Sequence, residues 1–176
     1  MPVDRTRRFE LPGIQDLNKD QDEALALPLK GQHLIIGGPG TGKSVVALLR
    51  AKRLAASQKT YYRTLVYNRL LDHSNRHLFG KEKAFSARTW DSWFRDICRY
   101  FLNTVPMQEP DYPGGYRPID WDAVLDQVQK LENTGDHSQR FLLIDEGQDM
   151  PPAFYQALVH LGFENFYVVA DQNQQL

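Results

Sequence analysis

Cysteine is nearly missing from this chain. Cys98 stands alone among 176 residues, which excludes a disulfide framework and a cysteine-rich metal site. Net charge is equally slight, with 21 Lys and Arg against 22 Asp and Glu leaving −1. The domain as a whole therefore exerts no bulk pull on nucleic acid, and any such contact has to be a local patch. No apolar run approaches the roughly 18 residues of a membrane helix, and no apolar signal region opens the chain, so a cytoplasmic protein without membrane attachment is expected. Internal repeats and low-complexity tracts are also lacking. What is present, 41% hydrophobic residues over this length, suffices for one well-buried core.

The most specific stretch is Gly37-Gly38-Pro39-Gly40-Thr41-Gly42-Lys43-Ser44, between the apolar run His33-Leu34-Ile35-Ile36 and the helix-forming Val45-Val46-Ala47-Leu48-Leu49-Arg50. Strand, glycine-rich loop, helix is the context in which G-x-x-x-x-G-K-[ST] cradles phosphate. Residues Gly38, Pro39, Gly40, Thr41 and Gly42 would turn backbone N–H groups inward, because glycine places no Cβ in the way of the turn or of the ligand. The helix that follows adds its unpaired N–H groups and the positive end of its dipole. Lys43 is placed to reach the β- and γ-phosphates and the Ser44 hydroxyl to ligate Mg²⁺. The strand before and the helix after weigh against a chance glycine-rich turn, and a nucleoside triphosphate site is expected.

Around this loop the chain reads in order as an α/β domain. Residues 1–16, with Arg5, Arg7, Arg8 and Pro12-Gly13, form a polar lead-in, solvated or touching phosphate as a basic tail. The domain proper is 17–176. Asn18 is a good N-cap for a helix over Leu17–Leu27, with Gln21 at its N3 position and Ala24, Leu25 and Leu27 as its apolar stripe. Gln21 is either a capping-box residue or an adenine reader, since a carboxamide matches the N6 donor and N7 acceptor together. A helix over 43–56 and a buried strand at 64–67 follow. Asn68 and Arg69 stand at that strand's C-terminal end, where parallel sheets gather ligand contacts. A helix at 70–78 and a short strand at 83–86 come next. The segment 90–102 reads as an amphipathic helix with Trp93, Ile97, Tyr100 and Phe101 toward the core. Trp90 at its start leans instead toward stacking on single-stranded bases. The Pro-, Gly- and Tyr-rich stretch 105–118 is a long surface excursion, functional or mobile. A helix over 120–132, capped by Asp120, and a polar loop at 133–139 complete the middle.

The second diagnostic stretch is Phe141-Leu142-Leu143-Ile144 running into Asp145-Glu146-Gly147-Gln148-Asp149. An apolar strand ending in two acids downstream of a phosphate loop completes a nucleotide machine. Asp145 would hold Mg²⁺ through a water, and Glu146 would orient and deprotonate the attacking water. A helix from Pro151-Pro152 to about Leu161 and a last strand at 166–170 lead to Asp171-Gln172-Asn173-Gln174. The expected fold is a three-layer α/β domain with a mainly parallel sheet.

Taken in order, these stretches resemble the first RecA-like motor domain of UvrD/Rep-type superfamily 1 helicases, a P-loop NTPase fold. Leu17-Asn18 through Gln21 and Ala24 is similar to the adenine-reading Q motif, and residues 37–44 match motif I. Asn68-Arg69 stands where motif Ia has Asn-Lys. Thr89-Trp90-Asp91-Ser92 resembles the Thr-Phe-His-Ser of motif Ib, Asp145–Asp149 is the DExQD form of motif II, and Val168–Asp171 with Gln174 resembles motif III. The resemblance implies ATP and Mg²⁺ as ligands and Glu146, Lys43 and Gln174 as the catalytic set, Gln174 linking the γ-phosphate to the grip on the strand. It implies strand contacts at Asn68, Arg69, Thr89 and Trp90, with single-stranded DNA as partner and RNA as the alternative. Val66 stands where the family usually carries a base-contacting Phe, and Asp91 replaces a His. Nothing matches motifs IV to VI, so the second RecA-like domain, which supplies the other wall of the site and its arginine fingers, is expected to lie in cis outside these residues. The rival readings are a stand-alone P-loop NTPase or nucleotide switch, and a non-enzymatic module gripping single strands through Arg69 and Trp90.

Overall fold

The computed structural model describes residues 16–57, 61–67, 87–132 and 134–172. In chain order these form α1 (Lys19–Ala26), β1 (Gln32–Gly37), α2 (Lys43–Ala56), β2 (Tyr61–Val66), β3 (Ala87–Thr89), α3 (Trp90–Leu102), α4 (Trp121–Val128), β4 (Arg140–Ile144), a 3₁₀ turn (Gly147–Asp149), α5 (Pro152–His160) and β5 (Asn165–Asp171). The polar lead-in through residue 15, the expected helix at 70–78 and the expected strand at 83–86 lie outside the described residues, as do Asn68, Arg69 and Gln174. No described helix is long and apolar enough to cross a membrane.

The strands make one sheet in the order β1-β5-β4-β2-β3, and every pairing among them is parallel. Side chains alternate across a strand, and both central strands use both faces. On β4, Phe141 and Leu143 pack with Leu25, Val46 and Leu54 of α1 and α2, while Leu142 and Ile144 pack with Phe94, Val124 and Phe154 of α3 to α5. On β5, Tyr167 and Val169 join the first cluster and Phe166 and Val168 the second. That double burial is why these segments read as unbroken apolar runs rather than alternating ones. The result is the expected three-layer α/β sandwich of RecA-like type. The edge strand β1 differs. Leu34 and Ile36 on one of its faces stay 59% and 57% exposed, and with Val159, Phe166 and Val168 they line a groove of about 570 Å³.

The excursion between α3 and α4 is tied down at several points. The Gln108 N–H donates to the Pro118 carbonyl and the Asp120 N–H to the Pro106 carbonyl, closing its neck around an antiparallel bridge between Met107 and Ile119. From α3, Arg95 reaches across to the Tyr116 hydroxyl (2.9 Å) and the Arg117 carbonyl (3.0 Å), while Asp91 holds Arg95 at 2.9 Å and accepts from the Tyr116 hydroxyl. Asp91, unlike the His of the helicase pattern, is thus an anchor for this excursion.

One buried polar group lies on the opposite side of the sheet from the phosphate loop's helix. His137, in the turn before β4, is only 5% exposed and stacks on Phe163 at 4.9 Å. Burial, helped by the nearby Arg140 charge, holds its pKa below the ordinary histidine value. The native state therefore favours neutral imidazole, and the unfolded chain takes up the proton first. Stability contributed by the neutral ring is complete above about pH 6.5 and is lost as pH falls through the lower folded value, with a slope approaching about 1.4 kcal/mol per pH unit in that window. Urea unfolding at pH 7 and pH 5.5 should show His137→Phe losing less stability on acidification than the wild type. Equal losses would remove His137 as the cause.

Candidate nucleotide site at the carboxyl edge of the sheet

The C-terminal ends of β1, β4 and β5 meet at one edge, where open parallel sheets bind their ligands. β1 ends in Gly37 and passes into the glycine-rich loop, which α2 follows from Lys43. Gly40 and Gly42 have φ of 73° and 80°, left-handed values that side chains other than glycine adopt at a cost. Gly42 is doubly constrained, because a Cβ there would lie 2.4 Å from Gln21 Nε2. The loop is closed on itself by the Thr41 hydroxyl, which donates to the Gly38 carbonyl at 2.8 Å.

Lys43 folds back over this loop. Its ammonium donates to the carbonyls of Gly37 (2.8 Å) and Gly38 (2.7 Å) and lies 3.7 Å from the Asp171 carboxylate. The next residue, Ser44, donates its hydroxyl to Asp145 Oδ1 at 3.2 Å, so the phosphate loop and the acid pair read from opposite ends of the sequence are in direct contact. Asp145 is 8% exposed. Burial pushes its carboxyl above the ordinary range, the Glu146 charge adds to that, and the Ser44 hydrogen bond opposes it.

Glu146 turns sharply out of β4 with φ 55°, one of two left-handed residues other than glycine among the described positions. Its carboxylate accepts from Gln148 Nε2 at 2.8 Å, and Gln148 Oε1 in turn accepts from the Asp171 N–H at 2.9 Å. Gly147 between them is packed tightly, since a Cβ would meet Val168 Cγ1 at 2.2 Å and the Tyr155 hydroxyl at 2.9 Å. The Tyr155 hydroxyl already donates to the Gly147 carbonyl. The strained acid is therefore bracketed on both sides. Asp171 and Gln148, which the sequence reading placed inside motifs without roles, prove to be the partners of Lys43 and Glu146. The only sequence signal for either was its position just past a strand.

Gln21 forms the capping box and also reaches the loop. Its backbone N–H and carboxamide oxygen complete a capping box with Asn18, at 2.9 and 3.0 Å, while Nε2 donates to the Thr41 carbonyl of the loop at 2.8 Å. A cleft of about 230 Å³ opens here between α1, the end of β1 and the loop, with Asn18, Gln21, Gly37, Thr41 and Lys43 on its walls. The residues suit a triphosphate with Mg²⁺. The loop tolerates no Cβ at Gly42, a cation sits over it, and a hydroxyl and a carboxylate supply the hard oxygen donors Mg²⁺ prefers. Among the described residues no cluster of three or more His, Cys, Asp or Glu forms a metal cage.

The residues suggested for strand contact fare differently. Thr89 ends β3 and precedes α3 without a side-chain cap bond. Trp90 is a packing residue here: its indole stacks on Trp121 at 6.1 Å and meets Phe154 edge-on at 5.5 Å. The ring stays partly exposed beside these contacts, and the approach of Trp121 and Phe154 is one the local sequence could not announce. Val66 is fully buried.

No curated protein matches this chain. A family described as an AAA domain matches residues 21–176, from the Gln21 of α1 past the end of β5. With the loop, the acid pair and the parallel sheet all inside that span, the chain belongs to this AAA domain family of P-loop NTPases, whose fold implies binding of nucleotide and, usually, Mg²⁺.

Proposed function

We propose that this chain is the ATP- and Mg²⁺-binding motor domain of a superfamily 1 helicase or translocase, coupling ATP hydrolysis to movement along single-stranded nucleic acid. The observation that carries it is the 3.2 Å contact between Ser44 and Asp145, which joins the phosphate loop to a DExQD acid pair. Domains of the matching family occur in UvrD/Rep-like helicases. Lys43 would exchange its two loop carbonyls for phosphate oxygens, and Ser44 and Asp145 would hold the metal. Bound Mg²⁺ neutralises charge on the phosphates. Glu146 accepts the proton of the attacking water, and Gln148 keeps its carboxylate aimed. Gln174 is assigned the coupling of phosphate state to strand grip, and Asn68, Arg69, Thr89 and Trp90 the strand contacts, with single-stranded DNA as the partner and RNA as the alternative. A second RecA-like domain in cis supplies the facing wall.

The packing of Trp90 and the burial of Val66 favour one second reading, a P-loop NTPase or nucleotide switch that does not travel on a strand. Steady-state ATPase assays on the chain fused to a second RecA-like domain separate the two. The motor reading expects turnover that rises with added single-stranded DNA. Turnover indifferent to DNA supports the switch, and tight strand binding indifferent to nucleotide would support a plain binding module.

A further inference from the structure

α1 is eight residues long, too short to hold its own shape in water, yet it carries Gln21 to the phosphate loop. Its C-terminal end lacks the usual devices. No basic residue lies in its last turn, its C-cap Leu27 is extended, and Pro28 follows. The carbonyls left over at such an end need donors from elsewhere, and here they come from α2 and β5. Arg50 NH1 donates to the Leu27 carbonyl at 2.9 Å and its NH2 to the Pro28 carbonyl. Arg53 NH1 donates to Leu25 at 2.6 Å, and the Tyr167 hydroxyl donates to Ala24 at 2.9 Å. Arg50 is 1% exposed, and its guanidinium lies 4.2 Å from the centre of the Tyr167 ring. Among the described residues this buried cation has carbonyls and an aromatic face as partners and no acid in an ion pair with it, so its place is fixed by the fork of donors that only arginine offers.

The helix bearing this clamp is the one that begins at the phosphate loop. Arg50 lies six residues beyond Ser44, about 9 Å along α2. Gln21 lies a similar distance up α1 from the clamped end. α1 is thus registered against α2 at one end by Arg50 and at the other by the 2.8 Å bond from Gln21 Nε2 to Thr41. We infer that Arg50, with Tyr167 and Arg53, is a positioning residue for base recognition: it fixes α1 so that the Gln21 carboxamide meets a purine base beside the loop. This rests on the reading of Gln21 as the base reader. A clamp serving stability alone would weaken all nucleotides together. A positioning clamp weakens ATP and leaves a pyrimidine triphosphate, held by the loop and Lys43, unchanged.

Calorimetric titration with Mg·ATP and Mg·UTP, paired with amide exchange across α1, tests it. Gln21→Glu keeps the capping acceptor for Asn18 and removes the donor, and it should reduce the preference for ATP over UTP about tenfold, which is about 1.4 kcal/mol. Arg50→Met should reduce the preference to the same degree, speed exchange in α1 and leave UTP affinity unchanged, with Arg50→Lys intermediate. Tyr167→Phe and Arg53→Ala each remove one carbonyl donor and keep Arg50, so they carry the test if Arg50→Met does not fold; a partial loss of preference is expected from both. If Gln21→Glu shifts the preference and the folded Arg50 variants, or both of the others, do not, the clamp is structural and the inference is wrong while Gln21 remains the reader. If Gln21→Glu shifts nothing, the reading of Gln21 fails and the inference with it.

Discussion

Mixed with Mg·ATP, the 176-residue chain is expected to bind it and yet hydrolyse it barely above the uncatalysed rate, without stimulation by single-stranded DNA. The parts for binding and for placing a water are present in Lys43, Ser44, Asp145 and Glu146. What the described residues of the cleft lack is an arginine finger for the charge that develops as the γ-phosphoryl leaves, a part worth about 10³–10⁵ in rate in phosphoryl-transferring enzymes. None of the described residues lining the cleft beside the loop is an arginine. Arg88, a candidate by its place in the sequence, is held by Asp96 at 2.7 Å and by the Ser92 hydroxyl at 3.0 Å. Arg50 is spent on carbonyls at the far end of α1. A single-turnover assay with radiolabelled ATP measures the rate directly. Turnover of about one per second or faster, abolished by Glu146→Gln, would show that an arginine of this chain or of a second copy completes the site.

Replacing Lys43 with Ala should lower affinity for Mg·ATP by about tenfold or more, on the order of 1.4 kcal/mol. Lys43 is the one cation lining that cleft among the described residues, and it lies over the loop at 13% side-chain exposure. Two features of the structure set the size of the effect. Lys43 must give up two carbonyl hydrogen bonds and its approach to Asp171 to reach a phosphate, so part of the gain is spent on exchange. The Ala variant also leaves the Gly37 and Gly38 carbonyls without that donor, facing the phosphates. Isothermal titration with equal dissociation constants for the two proteins would remove the phosphate assignment.

The parts of this site that were legible in the sequence are the local ones. The glycine spacing and the Lys-Ser pair fixed the loop, and the helix expected at 43–56 forms over Lys43–Ala56, because both depend on residues within one or two turns of each other. The acid pair was legible for the same reason, as a polar break at the end of a four-residue apolar run. Strand order was not, since pairing β1 with β5 brings together the two ends of the described chain, and no local pattern encodes it. The same limit applies to Trp90. Its position at the start of α3 is readable, whereas the approach of Trp121 and Phe154 is a property of how α4 and α5 pack. Gln21 shows a third case. The capping box read from the Asn18 spacing is present, while the bond from Nε2 to the Thr41 carbonyl twenty residues away depends on how α1 docks on the loop, which no local rule encodes.

With Glu146 as the proposed base, its left-handed backbone sets thermal robustness against turnover at a single position. Holding a residue with a Cβ at φ 55° costs on the order of 1–3 kcal/mol, a sizeable share of the 5–15 kcal/mol that keeps a domain folded. Glycine would relieve that cost and would also delete the carboxylate aimed by Gln148. Selection for heat tolerance alone would therefore carry this position toward glycine or asparagine, and only a demand for hydrolysis holds an acid there. On that reading, a glycine at the position equivalent to 146 in another natural sequence of this fold would mark a domain that has kept its nucleotide and given up hydrolysis.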